Sequence, residues 1–269
     1  MERFQICVGG TMIGIGAWGP GDIDHGKNWS LAKLQTQEDV RSNVALCRHI
    51  RKAVHTMGVH TCLAPNVVAF SGLVTEGKAL VNALGIGGKI TIYRNKLVSA
   101  DGVPVPKGHA LIMSGAGSPA IIAAGRGMVI IGQAGLRSLV DMGAVVGNPT
   151  REHMGILYSI VSEFNKNGVP AKELSIHMVG AIAPHDYEHD TASNKNLLEF
   201  ISERWPNGVW KRKYISLEGI LLGQAKECGI SRAQTSHPLD ELLSLTHTRK
   251  DPTARNLFVI ANRGKVGAN

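Results

Sequence analysis

Apolar and polar positions along the chain follow two different periods. Val40, Val44, Cys47, Ile50 and Val54 recur at three-and-four spacing, which places them on one stripe of a helix. Thr36 stands ahead of them with Asp39 three residues on, a capping-box-like start in which each side chain takes the other's backbone N–H. The spacing predicts one amphipathic helix from Thr36 to Met57. Shorter runs read as strands: Phe4 to Ile15 as a strand or hairpin, then Asn66 to Ser71, Lys89 to Tyr93, His109 to Met113, Met128 to Gly132, Leu174 to Ile182 and Asn256 to Ala261. His109 to Met113 and Met128 to Gly132 are nearly continuous apolar runs, as in strands covered on both faces.

Further helices are predicted from Pro149-Thr150 to Asn165, stopped by an Asn-Gly pair and Pro170, from Lys195 to Arg204, and from Leu217 to Cys228 with Gly229 as the cap. The segments up to Gly26 and from His185 to Ser193 read as loops. Strands interleave with helices, and no repeat, low-complexity tract or linker divides the chain. The expectation is an α/β fold, a mixed-sheet α/β sandwich in a single domain over residues 1–269.

Composition narrows the function. The chain is 43% apolar and 19% charged, which excludes disorder, and only 5% aromatic, with 32 Gly and 11 Pro that imply many tight turns and disfavour a helical bundle. Two long uncharged stretches, Phe4 to Gly21 and Gly108 to Gly125, are not membrane or export segments. The first carries six glycines and the second contains Gly-Ala-Gly-Ser-Pro, which would bare backbone polar groups in lipid. Cys7, Cys47, Cys62 and Cys228 have no C-x-x-C spacing, so free thiols in a cytoplasmic protein are expected. The net charge of +8 admits nucleic acid or a phosphorylated small ligand. Its densest run, Lys211-Arg212-Lys213 between Trp210 and Tyr214, and a second group at Arg249, Lys250 and Arg255 are short and carry no nucleic-acid-binding motif. Nucleic acid and membranes are therefore not expected as partners; a basic patch at Trp210 to Tyr214 leaves open a protein partner or a second copy of the chain.

Gly115-Ala-Gly117-Ser-Pro-Ala120 fits a dinucleotide-binding G-x-G-x-x-A, but the stretch after it is too short for the crossover helix of a parallel unit. His185-Asp-Tyr-Glu-His189 has the spacing of a zinc pair, yet Pro184 precedes it and no apolar helical face surrounds it. Cys62 near His60 has no recognisable Cys-His frame.

Several segments, in order, resemble the laccase-domain proteins, also called multicopper polyphenol oxidases and purine nucleoside phosphorylase-like enzymes. Ala110-Leu-Ile-Met-Ser-Gly-Ala-Gly-Ser-Pro119 followed by Val129-Ile-Ile-Gly-Gln-Ala-Gly-Leu-Arg-Ser-Leu139 is similar to that family's T-A-D-C-x-P and H-A-G-W-R-G-L. Val179-Gly-Ala-Ile-Ala-Pro-His-Asp-Tyr-Glu188 is similar to its G-P-x-I-G-x-x-x-Y-E-V, and Leu243 to Asp251 with Thr253-Ala-Arg255 to its F-S-x-R-R-D and T-G-R. The resemblance implies the family's fold and a Cys-His-His zinc site acting on purine nucleosides. Gly117 stands at the position of the cysteine, Ala116 at that of the aspartate and Gln133 at that of a histidine. No catalytic residue, metal or cofactor is therefore expected.

The basic shell persists, and Arg forks suit phosphate. The resemblance thus implies a degenerate member that binds or sequesters a nucleoside-derived or nucleotide ligand, such as a signalling nucleotide, without turnover through Ser114, Gly117, Ser118, Gln133, Arg137, His185, Tyr187, Arg249, Lys250 and Arg255. Trp18 or Trp29 would stack on the base. The alternative is an active purine nucleoside phosphorylase or adenosine deaminase-type enzyme that moved its chemistry to His109, His185, His189 or Cys62.

Overall fold

Central strands of this chain divide their side chains between two apolar layers, and that division sets the architecture. The computed structural model describes residues 1–19, 31–65, 74–75, 80, 82–94, 100–115, 118–147, 155–189, 194–236 and 256–267. Strands β1 (Glu2–Val8) and β2 (Thr11–Trp18) form a hairpin. Helices α1 (Gln37–Ser42) and α2 (Val44–Thr56) follow, then β3 (Thr61–Leu63), β4 (Asn82–Gly87), β5 (Ile90–Arg94), β6 (Gly102–Pro104), β7 (His109–Gly115), β8 (Ala120–Gly125) and β9 (Met128–Gln133). The second half holds α3 (Leu136–Leu139), α4 (Met142–Val145), α5 (Ile156–Lys166), β10 (Ser175–Val179), α6 (Lys195–Arg204), β11 (Val209–Trp210), β12 (Tyr214–Ile215), α7 (Leu217–Glu227), β13 (Arg232–Ser236) and β14 (Asn256–Lys265).

Among the described residues these strands build a seven-stranded sheet in the order β1-β2-β14-β7-β3-β5-β4 and a five-stranded sheet in the order β13-β10-β8-β9-β6, with β11 and β12 as a separate hairpin. Strand β3 is parallel to β5 and β7, and β10 is parallel to β13; the remaining pairs are antiparallel. Leu111 and Met113 of β7 and Phe258 and Ile260 of β14 share one layer with Ile122, Val129 and Ile131 from the other sheet. Their sequence neighbours Ala110, Ile112, Leu257 and Val259 turn the other way, onto Cys47, Ile50, Ala53 and Val54 of α2. Ile121, Ala123, Ile130, Ile176 and Met178 turn outward from the smaller sheet onto Phe164 of α5, Ile201 of α6 and Ile220 of α7. The result is helix, sheet, sheet, helix: the mixed α/β sandwich expected from the sequence.

The Thr36–Asp39 capping box forms as predicted, with Asp39 N–H donating to Thr36 Oγ1 (3.1 Å) and Thr36 N–H to Asp39 Oδ2 (2.7 Å). The helix it starts is broken at Asn43, whose side-chain amide donates to the Asp39 carbonyl (2.8 Å), an Asn competing with the helix ladder. Helix α6 has its predicted bounds, and α7 ends one residue early, before Gly229 at φ 74°. Helix α5 starts at Ile156; the expected start at Pro149-Thr150 and the expected strand from Asn66 to Ser71 lie outside the described residues. Seven strands, β3, β4, β6, β8, β11, β12 and β13, went unpredicted, and β14 continues to Lys265 through an irregularity at Asn262/Gly264.

Phe258 is fully buried in the inter-sheet layer, whereas Phe4 on the edge strand β1 is half-buried. Phe258→Ala is expected to lower the unfolding free energy by about 3–5 kcal/mol, and Phe4→Ala by markedly less. Urea denaturation checks the pair, and equal losses would contradict the layer assignment.

Candidate functional site

Where β9 ends and β8 begins, buried polar side chains interrupt the apolar layers. Gln133, the last residue of β9, is 4% exposed and pairs in register with Ala120. Alternation with Val129 and Ile131 points it between the sheets. Its N–H donates to the Asp101 carbonyl (2.7 Å), and its side-chain Oε1 has no hydrogen-bond partner among the described residues. Asp101 and Asn256 are fully buried at the same end. Asn256 opens β14 opposite Gly115 and, alternating with Phe258, faces the same layer. Neither was singled out from the sequence; Asn256 shows as a polar residue heading an apolar run, while Asp101 leaves no comparable signal.

Ser118 lies against the chain just before α3. A Cβ on Gly135 would fall 2.8 Å from Ser118 Oγ, and the Ala134 N–H donates to the Pro119 carbonyl (2.8 Å). Strand β8 starts at Ala120, where a dinucleotide fingerprint needs a helix, so that motif match is a strand-to-strand connection. Ser114 shares its face of β7 with Ala110 and Ile112, the face that looks onto the helical layer and away from Gln133. Its Oγ accepts from the Leu31 N–H (3.3 Å). The Leu31 carbonyl in turn accepts from Arg94 Nη1 (2.5 Å). Arg94 is 3% exposed, and burial pulls its guanidinium down to about 10. Holding that charge inside costs on the order of 3 kcal/mol.

Tyr187 is half-buried, packs on the inter-sheet layer and on the outer helical layer, and meets the His189 ring edge-on at 4.8 Å. His185 is 67% exposed at its side chain. It lines a groove of about 290 Å³ with Pro184, Pro206, Asn207, Val209, Trp210 and Ser216. Arg137 is exposed, one residue into α3. Gly117, Arg249, Lys250, Arg255 and Trp29 lie outside the described residues. Trp18 is a core residue and not a stacking platform: it is 6% exposed in the layer under α2, so close to Gly16 that a Cβ there would sit 2.5 Å from the ring.

The zinc set that the resemblance implies does not fit these residues. A glutamine amide is a poor zinc ligand, and among the described residues no group of three or more His, Cys, Asp or Glu converges. His185 and His189 share no environment, one exposed and the other 8% exposed beneath Tyr187. Cys62 is fully buried and its thiol is pushed up to about 12 by burial, which leaves almost no thiolate at neutral pH. Burial raises Cys47 and, with help from Glu227, lifts Cys228 to about 11. His109 begins β7, at the opposite end of that strand from Ser114.

Comparison with known proteins agrees with this architecture. Neisseria meningitidis protein NMB0706, described as DUF152, matches with a TM-score of 0.63 at 15% identity, over 98% of this chain and 100% of its own. Bacillus licheniformis hypothetical protein YfiH matches with a TM-score of 0.64 at 13% identity, over 94% and 96%. YlmD from Geobacillus stearothermophilus matches with a TM-score of 0.62 at 17% identity, over 94% and 92%. The fold is the laccase-domain fold. No family model and no curated protein matches the sequence, so the likeness is one of fold. No helix among the described residues is long and apolar enough to cross a membrane.

All four cysteines are unpaired, and Cys7 alone is exposed. At pH 8 the native protein is expected to give one fast-reacting thiol with a chromogenic disulfide reagent and all four in denaturant. A second fast thiol, lost in Cys62→Ala, would contradict the burial of Cys62.

Proposed function

We propose that this laccase-fold protein, as one domain over residues 1–269, binds a nucleoside-derived or nucleotide small molecule and holds it without turnover. One observation carries the reading: Gln133, at the position where the resembling family has a histidine, is a buried amide whose oxygen has no partner among the described residues. A buried acceptor left unmatched costs free energy comparable to a lost hydrogen bond, so it favours a bound molecule that donates to it. A purine or pyrimidine edge presents such N–H groups. Buried Asn256 adds polar atoms in the same layer, buried Asp101 meets Gln133 through its backbone, and Tyr187 borders the layer with an aromatic ring.

The absence of turnover follows from chemistry rather than from fold. Acyl, phosphoryl or glycosyl transfer needs an activated nucleophile or a base of suitable pKa. Glutamine supplies neither, and the Cys62 thiol stays protonated. His109, His185 and His189 are spread over a strand start, an exposed turn and a buried ring contact. The ligand would therefore be gripped by hydrogen bonds and the basic shell, as in sequestration of a signalling nucleotide.

Isothermal titration against nucleosides, mononucleotides, cyclic nucleotides and ADP-ribose-type molecules tests the reading. At least one should bind, and Gln133→Leu, similar in size but without polar atoms, should weaken it about tenfold, the value of one hydrogen bond. An absence of binding across the panel overturns the reading.

A further inference from the structure

Arg94 is a buried cation for which the described residues supply no counter-charge. It is 3% exposed; among the described residues its one hydrogen bond is from Nη1 to the Leu31 carbonyl, and Nε has no partner. Among the described residues no carboxylate pairs with it. Buried arginines ordinarily satisfy their fork of donors with a carboxylate, so this one carries a cost that the described residues do not offset.

Its position shows where an offset would come from. Arg94 is the last residue of β5, and β3, β5 and β7 run parallel, so their carboxyl ends lie on one edge of the large sheet. That edge is where ligands bind in sheets with parallel strands. Arg94 shares a face with Ile90 and Ile92, the same helix-side face that carries Ser114 on β7. A single residue joins the two: Leu31 donates its N–H to Ser114 Oγ and accepts from Arg94 at its carbonyl. Ser114 Oγ thus has an acceptor role filled and its own proton left to give. Beyond the Leu31 carbonyl, guanidinium and hydroxyl together form a donor set with no further acceptor among the described residues, which matches a phosphoryl group. Burial strengthens such a contact by lowering the local dielectric.

We propose that Arg94, with Ser114, anchors an oxyanion, the phosphoryl group of a phosphorylated small molecule, at the carboxyl ends of β3, β5 and β7. The ligand class follows from the proposed nucleotide-binding function and rests on it; the anion site stands on the Arg94 geometry. The sequence placed its cationic candidates at Arg137, Arg249, Lys250 and Arg255 and passed over Arg94, because nothing in Ile-Tyr-Arg distinguishes a strand-end arginine in solvent from one held inside.

Thermal unfolding of the full chain in inorganic phosphate, against chloride of equal ionic strength, tests the proposal. The wild type should rise by about 3 °C at a phosphate concentration ten times Kd. Arg94→Met should lose that response and, in chloride, unfold at the same temperature as the wild type or higher, since it removes an uncompensated buried charge. Arg94→Lys, which keeps the charge without the fork, should respond at higher phosphate concentration, and it serves if Arg94→Met does not fold. A phosphate response equal in wild type and variants, or none in the wild type, overturns the anion site. A lower melting temperature for Arg94→Met with the phosphate response intact makes Arg94 a strut for Leu31 and likewise overturns it. AMP and adenosine provide separate arms. Phosphate protection with no effect of AMP sinks the nucleotide reading alone, whereas AMP binding that Arg94→Met leaves unchanged sinks the anion site alone.

Discussion

Sheet-on-sheet packing is the interaction on which this molecule depends. Phe258, Ile260, Leu111 and Met113 on one side and Ile122, Val129 and Ile131 on the other are all 2% exposed or less. Each such side chain contributes roughly 1.5–3 kcal/mol. Because both sheets are also covered by helices on their outer faces, their central strands have no solvent face on which polar residues can be placed freely. A polar side chain inside such a strand must find a partner or a purpose. Asn262 finds one, donating across the sandwich to the Val105 carbonyl at 2.7 Å. Gln133 does not satisfy its oxygen. The contrast is between two amides in similar surroundings at different levels of the same layer, one closing it and one left for something else.

Much of the architecture was legible because the covered strands leave a plain mark. The runs around Ile112 and Ile130 are apolar at every position, the helices α2, α6 and α7 carry their stripes at helical spacing, and Thr36 with Asp39 marks a helix start. What was not legible depends on contacts distant in sequence. Strand β4, with glycines at positions 85 and 87, is an edge partner of β5 and carries little apolar pattern of its own. Strand β8 hid in the string Ala-Ile-Ile-Ala-Ala-Gly because three alanines and a glycine weaken the strand signal, and only pairing with β9 and β10 decides it. Asn43 breaks a continuous helical stripe through a local hydrogen bond that hydrophobic periodicity does not detect.

The candidate site was legible in its substitutions and illegible in its charges. Gln133 drew notice from the sequence, and the buried, partnerless oxygen gives that notice a physical meaning. Ser114 drew notice as well, yet strand alternation puts it on the far face of the large sheet, beside Arg94. Two sets of polar groups therefore lie on opposite sides of one sheet edge, an amide acceptor between the sheets and a guanidinium donor under the helices. Trp18, read from the sequence as a stacking ring, is fully used in packing. Burial separates a side chain that serves a ligand from one that serves the core, and burial is a property of the assembled layers.

The central claim, retention without transformation, is tested most directly by trapping. The protein is mixed with a stoichiometric amount of the tightest-binding nucleotide, freed of unbound material, denatured after prolonged incubation, and the released molecule is identified by mass. The account predicts that the nucleotide is recovered intact and in near-stoichiometric amount. Recovery of free base, sugar phosphate or a deaminated product would contradict it.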